Sequence, residues 1–146
     1  MVDVVDVNTD REAIMRVVHD YFGSWYEGDA QRMGQSLHPN LAKRAPMAAL
    51  LAFGSVQEGD PDSLDEDTRQ TMVDATGRGI GAKRATTAEH RSIEVQIDDV
   101  YHWIASVTVR SPIYHEYLHL VRTSQGWRIV NALWQRTVGG GGGEAG

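Results

Sequence analysis

Apolar residues near the start of the chain recur at the spacing of one helix face. They stand at intervals of three or four residues, at Ile14, Val17, Val18, Tyr21, Phe22 and Trp25. This period is typical of an amphipathic α-helix that lies against a core. Asn8 or Thr9 is placed to cap its start, and Gly28 is placed to end it. The pattern therefore predicts a long N-terminal helix with one buried face.

A second, shorter helix is predicted directly after this glycine. Asp29 is a favourable helix cap. The helix can run through Leu37 until His38-Pro39 ends it, because the residue before a proline disfavours helical backbone. A short strand over residues 41–45 is predicted to follow.

The middle of the chain, residues 46–90, carries weaker patterns. Residues 54–63, GSVQEGDPDS, are rich in turn formers and predict a polar loop. A helical pattern then returns from Leu64 to Ala75. The stretch TGRGIGAKRATT predicts a glycine-rich loop, which lacks the strand-then-helix context of a phosphate-binding loop.

Beyond Glu89 the period of the apolar positions changes to two. Ile93, Val95 and Ile97 alternate with polar residues, which is the pattern of a half-buried strand. Turns are predicted at Asp98-Asp99 and in Ser124-Gln125-Gly126. The predicted strands cover 93–97, 101–111, 113–123 and 127–138. Helices followed by an antiparallel meander predict an α+β domain.

Composition adds limits to this fold prediction. The chain has 146 residues, which suits a single domain over 1–138 with a flexible glycine-rich tail over 139–146. A net charge of -6 with no concentrated basic stripe argues against nucleic-acid binding. The absence of cysteine excludes disulfides and thiolate metal sites. The sequence shows no signal peptide and no run of about 20 apolar residues, so we expect a cytoplasmic protein that does not enter membranes.

The stretch HEYLH, His115 to His119, matches the H-E-x-x-H motif of zinc metalloproteases. The motif works on a helix, where positions four residues apart share one face. In the predicted strand the two histidines would be about 13 Å apart, at roughly 3.3 Å per residue. They could not then share an ion at Zn–N distances of about 2.0–2.1 Å. We therefore predict no metal site here.

The same strand is predicted to have two unlike faces, because side chains alternate along a strand. One face carries His115, Tyr117, His119 and Val121, and the other carries Tyr114, Glu116, Leu118 and Leu120. We expect the second face to be enclosed. A carboxylate there, Glu116, would be desolvated and could serve as a general acid or base.

The order of these elements resembles a known superfamily. A long first helix with Tyr21, then Gly28-Asp29 and a short helix ending in LHPN, resembles the start of the nuclear-transport-factor-two-like (NTF2-like) superfamily. The stretch YHEYLHLVRTSQGWRIVNALWQR is similar to its last two strands, and more narrowly to those of its lumazine-binding-like branch. The resemblance implies a curved antiparallel β-sheet wrapped into a cone, with N-terminal helices closing a pocket. Relatives include ketosteroid isomerases and polyketide cyclases, nuclear transport factor itself is a non-enzymatic binding protein, and members are commonly dimers.

The resemblance also implies catalytic residues. Tyr21 has the spacing of the isomerase tyrosine that donates a hydrogen bond to an oxyanion, and Glu116 stands where many lumazine-binding relatives keep an acid. Those relatives often pair the acid with a lysine on the last strand, where this chain has Ala132. A partner such as Lys43 is therefore expected. The isomerase's proton-shuttling aspartate would fall near Ala45, which cannot carry protons.

Further candidates come from residue type and position. His38 is a candidate acid or base, although it could instead bond a backbone carbonyl and stop the helix. His102 is a candidate ligand contact at the start of a strand, where exposed histidines are also common. Aromatic and apolar pocket walls are expected from Trp25, Leu118 and Trp134, with Val130 and Ala132 on the same inner face as Trp134.

Three functions remain open from the sequence. The first is a cofactor-independent enzyme that transfers protons on a small, largely apolar molecule, as in isomerisation, dehydration, cyclisation or ring opening. The second is a non-catalytic protein whose pocket binds a flat heterocycle. The third is a homodimeric interaction module, because Trp103, Ala105, Val107 and Val109 share one strand face, which would need a second subunit if it points outward. In each case the partners are a small molecule or a second copy of the chain.

Overall fold

The computed structural model describes residues 7–139, in which helices precede most of the strands. The helices are α1 (Val7–Glu27), α2 (Ala30–Ser36), α3 (Met47–Ala52), α4 (Arg69–Gly77) and α5 (Ile80–Arg84), with a 3-10 turn at Glu89–Arg91. The strands are β1 (Leu37–Pro46), β2 (Leu64–Asp67), β3 (Glu94–Tyr101), β4 (Ile104–Arg110), β5 (Tyr114–Thr123) and β6 (Gly126–Arg136).

The junction between α1 and α2 follows the predicted turn chemistry. Gly28 has a φ of 75°, a left-handed conformation that glycine adopts without strain. The Asp29 side chain caps α2 by accepting a hydrogen bond from the Arg32 N–H at 3.1 Å. The predicted end of α2 is wrong by one residue, because β1 begins at Leu37 and His38-Pro39 lies inside that strand.

The helix predicted from Leu64 is wrong in its first four residues, which form β2. Helix α4 begins only after Thr68, whose hydroxyl accepts a hydrogen bond from the Thr71 N–H. The Thr71 hydroxyl accepts in return from the Thr68 N–H. This reciprocal capping fixes the helix start at Thr68. The residues before it therefore lie outside the helix and pair with β1.

The glycine-rich stretch predicted as a loop is partly helical. It contains the end of α4 and all of α5, which are joined by Gly79 with a φ of 78°. Helix α5 packs so closely on α1 that a side chain at Gly81 would overlap the Trp25 backbone. The segment has little helix propensity of its own, so its packing against α1 stabilises it as a helix.

The six strands form one curled sheet in the order β2-β1-β6-β5-β4-β3. Neighbouring strands are antiparallel except β1 and β6, which run parallel. Register shifts interrupt the β1–β6, β3–β4 and β5–β6 pairings, and such bulges bend and twist strands. The helices cover the concave side, so the predicted α+β fold with a curved sheet is confirmed.

The turn predicted at Asp98-Asp99 is wrong. Strand β3 continues through these residues with a register shift, and the Asp98 carboxylate accepts a hydrogen bond from Thr108 of β4 at 2.7 Å. The chain reverses instead at His102, the one non-glycine residue with a positive φ (50°) in the described part of the chain.

Two strand faces differ from the alternatives that the sequence left open. Ala105, Val107 and Val109 are buried in the core, so this part of the β4 face points inward and gives no reason for a second subunit, whereas Trp103 before it is 60% exposed. Val130 of β6 was expected on the inner face. The pairing of β5 with β6 shifts between His119 and Leu120, so Leu120 pairs with Ile129, and Ile129 is the buried residue instead of Val130.

Most of the predicted tail, residues 140–146, lies outside the described residues. Among residues 7–139 we find no helix that is both long and apolar enough to span a membrane.

Candidate functional site

The HEYLH segment lies in strand β5, as predicted, and its two faces differ in burial. Tyr114, Glu116, Leu118 and Leu120 are buried, whereas Tyr117 and His119 are exposed. His115 and His119 lie on the outer face of the sheet, away from the core. Within residues 7–139, no cluster of three or more histidine or carboxylate side chains is placed to hold a metal ion.

The buried face of β5 borders a cavity of about 390 Å³. Helix α1 contributes Tyr21, Phe22 and Trp25, and helix α4 contributes one face, to which Arg78 directly after the helix is added. The remaining walls come from α3, α5 and strands β1, β2, β5 and β6. A volume of this size is within the range of small-molecule sites.

Three polar side chains meet inside this cavity. The Lys43 ammonium donates a hydrogen bond to the Tyr21 hydroxyl at 2.5 Å, and that hydroxyl donates to Glu116 Oε1 at 2.9 Å. Lys43 Nζ also lies 3.5 Å from Glu116 Oε2. Tyr21 and Glu116 are each 2% exposed and Lys43 is 7% exposed, so the whole cluster is withdrawn from bulk water.

Burial dominates the electrostatics of Tyr21. Desolvation, followed by the nearby Glu116 carboxylate, raises the pKa of the Tyr21 phenol well above its ordinary value. Tyr21 therefore stays neutral and keeps its proton. That single proton points to Glu116, so the hydrogen bonds still open to a ligand belong mainly to Lys43, whose ammonium carries three donors.

Sheet register explains how Lys43 replaces the lysine missing from β6. Lys43 of β1 is the parallel neighbour of Ala132 on β6, and Ala132 in turn pairs with Leu118 on β5. The small alanine leaves room for the long lysine side chain to reach over β6 towards Glu116. The ion pair expected from the sequence is therefore present, with the cation supplied from the next strand.

Aromatic rings form the apolar walls. The Trp25 indole N–H donates to the Tyr114 hydroxyl at 2.9 Å, and the Tyr114 and Trp134 rings meet edge to face with centroids 5.7 Å apart. Lys43 Nζ lies 5.3 Å from the Trp134 ring and 5.1 Å from the Tyr21 ring. Such cation–π contacts hold the ammonium among aromatic faces.

Three of the predicted site residues do not line the cavity. His38 lies on β1 with its ring accepting a hydrogen bond from the Asn40 N–H at 3.0 Å. His102 is exposed at the β3–β4 turn. Leu118 is fully buried between neighbouring strands and contributes packing only. Of the predicted residues, the fold thus brings together Tyr21, Trp25, Lys43, Glu116 and Trp134.

Two carboxylates of the cavity, Asp65 and Asp67, were missed by sequence reasoning. They occupy alternate positions of β2 and face inward, opposite Ala45 and Lys43 of β1. Burial, followed by the neighbouring charges of Asp67 and Glu66, raises the pKa of Asp65. One signal in the sequence could have indicated them. Thr68 is a favourable helix cap, so the residues before it, LDED, lie outside the helix and can alternate as a strand, with every second side chain on the same face.

The curled sheet covered by helices defines an NTF2-like protein. The chain belongs to the family described as "Putative lumazine-binding", whose model matches residues 9–135. No curated protein matches the sequence significantly.

Solved structures agree on the fold. An NTF2-like protein of unknown function from Silicibacter pomeroyi is 14% identical, with a TM-score of 0.64 over 91% of this chain and 100% of that one. An NTF2-like protein of unknown function from Shewanella baltica is 13% identical, with a TM-score of 0.59 over 92% and 98%. An NTF2-like protein with a cystatin-like fold from Novosphingobium aromaticivorans is 15% identical, with a TM-score of 0.58 over 95% and 89%. At these identities the likeness is one of fold alone.

Proposed function

We propose that this protein binds a small, flat organic molecule in the cavity and catalyses proton transfer on it without a metal or redox cofactor. The observation that carries the proposal is the buried cluster of Lys43, Tyr21 and Glu116 on the cavity wall. Burying a charged pair is unfavourable unless geometry and hydrogen bonds compensate. A protein that needed only a stable core could use apolar residues at these positions.

The cluster suits the stabilisation of negative charge on a ligand oxygen. Glu116 and Tyr21 fix the Lys43 ammonium in one place, and the surrounding rings exclude water from it. A fixed donor in a desolvated site stabilises a developing oxyanion far better than a solvated one. Loss of one such donor typically lowers kcat by about 10²–10³.

The aromatic walls favour a planar ligand. Trp25, Tyr114 and Trp134 offer ring faces and edges around the polar cluster, and planar heterocycles or aromatic ketones pack well on such rings. A lumazine-like bicyclic ring agrees with the family description and would place its carbonyl oxygens near Lys43.

A non-catalytic binding protein is the second candidate. The cluster of Lys43, Tyr21 and Glu116 is already hydrogen-bonded and charge-paired within itself in the free protein. Its role would then be to orient a ligand without reacting with it. In that case the cavity would bind its ligand and release it unchanged.

Ligand binding is tested by thermal-shift and calorimetric screens against flat heterocycles, polyketides and terpenoids. We expect ligands that stabilise the wild type to lose affinity in Tyr21→Phe and Glu116→Gln. The matched controls are Tyr117→Phe and Glu66→Gln, which alter exposed residues outside the cavity. Equal shifts in the wild type and both cavity variants would remove Tyr21 and Glu116 from the site, and turnover assays on the bound compounds separate enzyme from binding protein.

We also propose that the chain forms a homodimer through the outer face of the sheet. Tyr117 and Leu133 are direct neighbours on β5 and β6 and remain 53% and 49% exposed. Paired apolar side chains on an open sheet face favour burial against a second copy. Light scattering after size exclusion tests this, and a monomer at micromolar concentration would contradict it.

A further inference from the structure

We infer that the ligand of this cavity carries a carboxylate group, which is bound by the Tyr114 hydroxyl and the Arg84 guanidinium. The inference rests on the proposed function, because it assigns a charged group to the ligand of the same cavity. Neither residue was among the site residues predicted from the sequence.

The first support is the unused proton of the Tyr114 hydroxyl. This side chain is 3% exposed and lines the cavity. Its oxygen accepts hydrogen bonds from the Trp25 indole N–H at 2.9 Å and from Arg84 Nη1 at 3.4 Å. Within residues 7–139 the hydroxyl donates to no acceptor, although a phenol has one proton to donate. Buried polar groups are usually hydrogen-bonded, so this hydroxyl is suited to an acceptor atom of a ligand.

The second support is the unpaired charge of Arg84, which lines the same cavity and is exposed at its mouth. In the described part of the chain its guanidinium forms no ion pair, and its one side-chain hydrogen bond is the long contact with Tyr114. A guanidinium presents five N–H donors in a fork that matches the two oxygens of a carboxylate. The Tyr114 and Arg84 donors therefore stand side by side where one carboxylate could accept from both.

The packing of helix α5 explains why Arg84 is at this place. The close approach of Gly81 to Trp25 holds α5 against α1, and Arg84 is in the last turn of α5. Arg78, directly after α4, lines the cavity as well, and it too has no ion pair with any residue that the structure describes. Arg78 therefore offsets the charge of Asp74, which lines the cavity one helical turn earlier.

The other carboxylates of the cavity are either distant or compensated. Asp65 and Asp67 are on β2, which is three strands away from the β5 strand of Tyr114, or about 14 Å along the sheet. Glu116 is nearer, but Lys43 Nζ lies 3.5 Å from its carboxylate. Because Coulomb energy falls with distance, a guanidinium at hydrogen-bonding distance outweighs each of the charges on β2.

The Trp134 ring connects this subsite to the buried cluster. Lys43 Nζ lies 5.3 Å from the Trp134 ring, and the centroids of the Trp134 and Tyr114 rings are 5.7 Å apart. A planar ring packed on Trp134 would have one end at Lys43 and its carboxylate at Tyr114 and Arg84. The ligand class is therefore a flat aromatic carboxylic acid.

The test is calorimetry at pH 7 with three compounds that share one ring system: 2-naphthoate, 2-naphthamide and 2-naphthylmethylammonium. We expect 2-naphthoate to bind most tightly. The neutral amide should bind about 10–100-fold more weakly, because hydrogen bonds to charged groups are stronger than those to neutral groups. The ammonium compound should not bind detectably.

Single substitutions separate the two donors. Arg84→Gln should weaken 2-naphthoate binding about ten-fold and leave 2-naphthamide binding nearly unchanged. Tyr114→Phe should weaken both, since the hydroxyl donates to a carboxylate or an amide oxygen alike. The matched control is Lys83→Gln, which removes the same charge from an exposed neighbour on α5 outside the cavity and should bind 2-naphthoate as the wild type does. Melting temperatures show that each variant is folded, and Arg84→Gln alone decides the inference if Tyr114→Phe does not fold.

The other outcomes distinguish this inference from the proposed function. Equal binding of 2-naphthoate and 2-naphthamide would overturn the carboxylate and leave the cavity as a site for flat molecules. Equal losses in Arg84→Gln and Lys83→Gln would overturn a direct contact with Arg84. Binding of 2-naphthoate that survives in Arg84→Gln but is lost in Lys43→Met would overturn this subsite and move the carboxylate to Lys43. Binding of none of the three compounds would overturn the aromatic-acid class, while the proposed function would still be decided by the screen of neutral heterocycles.

Discussion

Replacing Lys43 by methionine removes the positive end of a buried ion pair and keeps a side chain of similar shape. Lys43 Nζ and Glu116 Oε2 are 3.5 Å apart, and their side chains are 8% and 3% exposed. At an effective dielectric constant near 20, unit charges at this distance attract by about 5 kcal/mol. Removal of one partner leaves the other charge buried, which typically costs about 3–5 kcal/mol.

The neighbouring residue provides a matched control. Arg44 Nε and Glu66 Oε2 are 3.4 Å apart, but their side chains are 46% and 67% exposed. Exposed pairs contribute about 0–1 kcal/mol. Urea unfolding at pH 7 should therefore show a loss of about 3–5 kcal/mol for Lys43→Met and less than about 1 kcal/mol for Arg44→Met.

A second substitution tests the cause of the loss. In the Lys43→Met background, Glu116→Gln replaces the stranded charge with a neutral amide that still accepts from Tyr21, so most of the lost stability should return. Equal small losses in Lys43→Met and Arg44→Met, or no recovery in the double variant, would refute burial of an uncompensated charge as the reason.

Four further results are expected. Tyr21→Phe removes a hydrogen bond to a buried carboxylate and should lower the free energy of unfolding by about 1.5–3 kcal/mol in urea titrations; a loss below about 0.5 kcal/mol would show that water replaces the hydroxyl. Burial and nearby carboxylates raise the folded-state pKa of Asp65, so wild-type stability falls as pH rises from the ordinary value of about 3.9 through that raised pKa. Asp65→Asn should therefore have a higher melting temperature than the wild type at pH 7, and this difference in melting temperature should shrink below pH ~3.9. A difference that does not change with pH would contradict this explanation. Gly81→Ala should destabilise by about 1–3 kcal/mol through overlap with α1, whereas Gly77→Ala, where a methyl group fits, should be neutral or stabilising in the same thermal melts. The dimer that we propose should dissociate in Tyr117→Lys, so light scattering should give the mass of one chain; an unchanged dimer mass would contradict an interface at Tyr117.

The ends of the chain could be predicted because their patterns are local. The apolar stripe of α1, the glycine and aspartate that separate it from α2, and the alternation along β5 each follow from helix or strand period and turn chemistry. The same alternation put Glu116 on the buried face, and the strand period predicted that the two histidines of HEYLH are too far apart to share one ion. The family resemblance extended these local results to a curled sheet around a cavity.

The segment between 46 and 90 could not be predicted, because its structure depends on distant partners. Strand β2 exists through its pairing with β1, and α5 through its packing on α1. Asp65 and Asp67 therefore escaped notice, since a carboxylate becomes a site residue only when pairing directs it into a cavity. His38 was selected for its chemical type, and the early start of β1 carried it away from the cavity.

The sequence alone determined which residues form helices and strands at both ends of the chain and which faces they bury, since those patterns repeat within a few residues. Tertiary structure alone decided that Lys43 reaches Glu116 across a neighbouring strand, and that Asp65 faces the same cavity. The physical reason is that charge placement in a folded protein depends on strand register and burial, which are set by contacts between residues far apart in the chain.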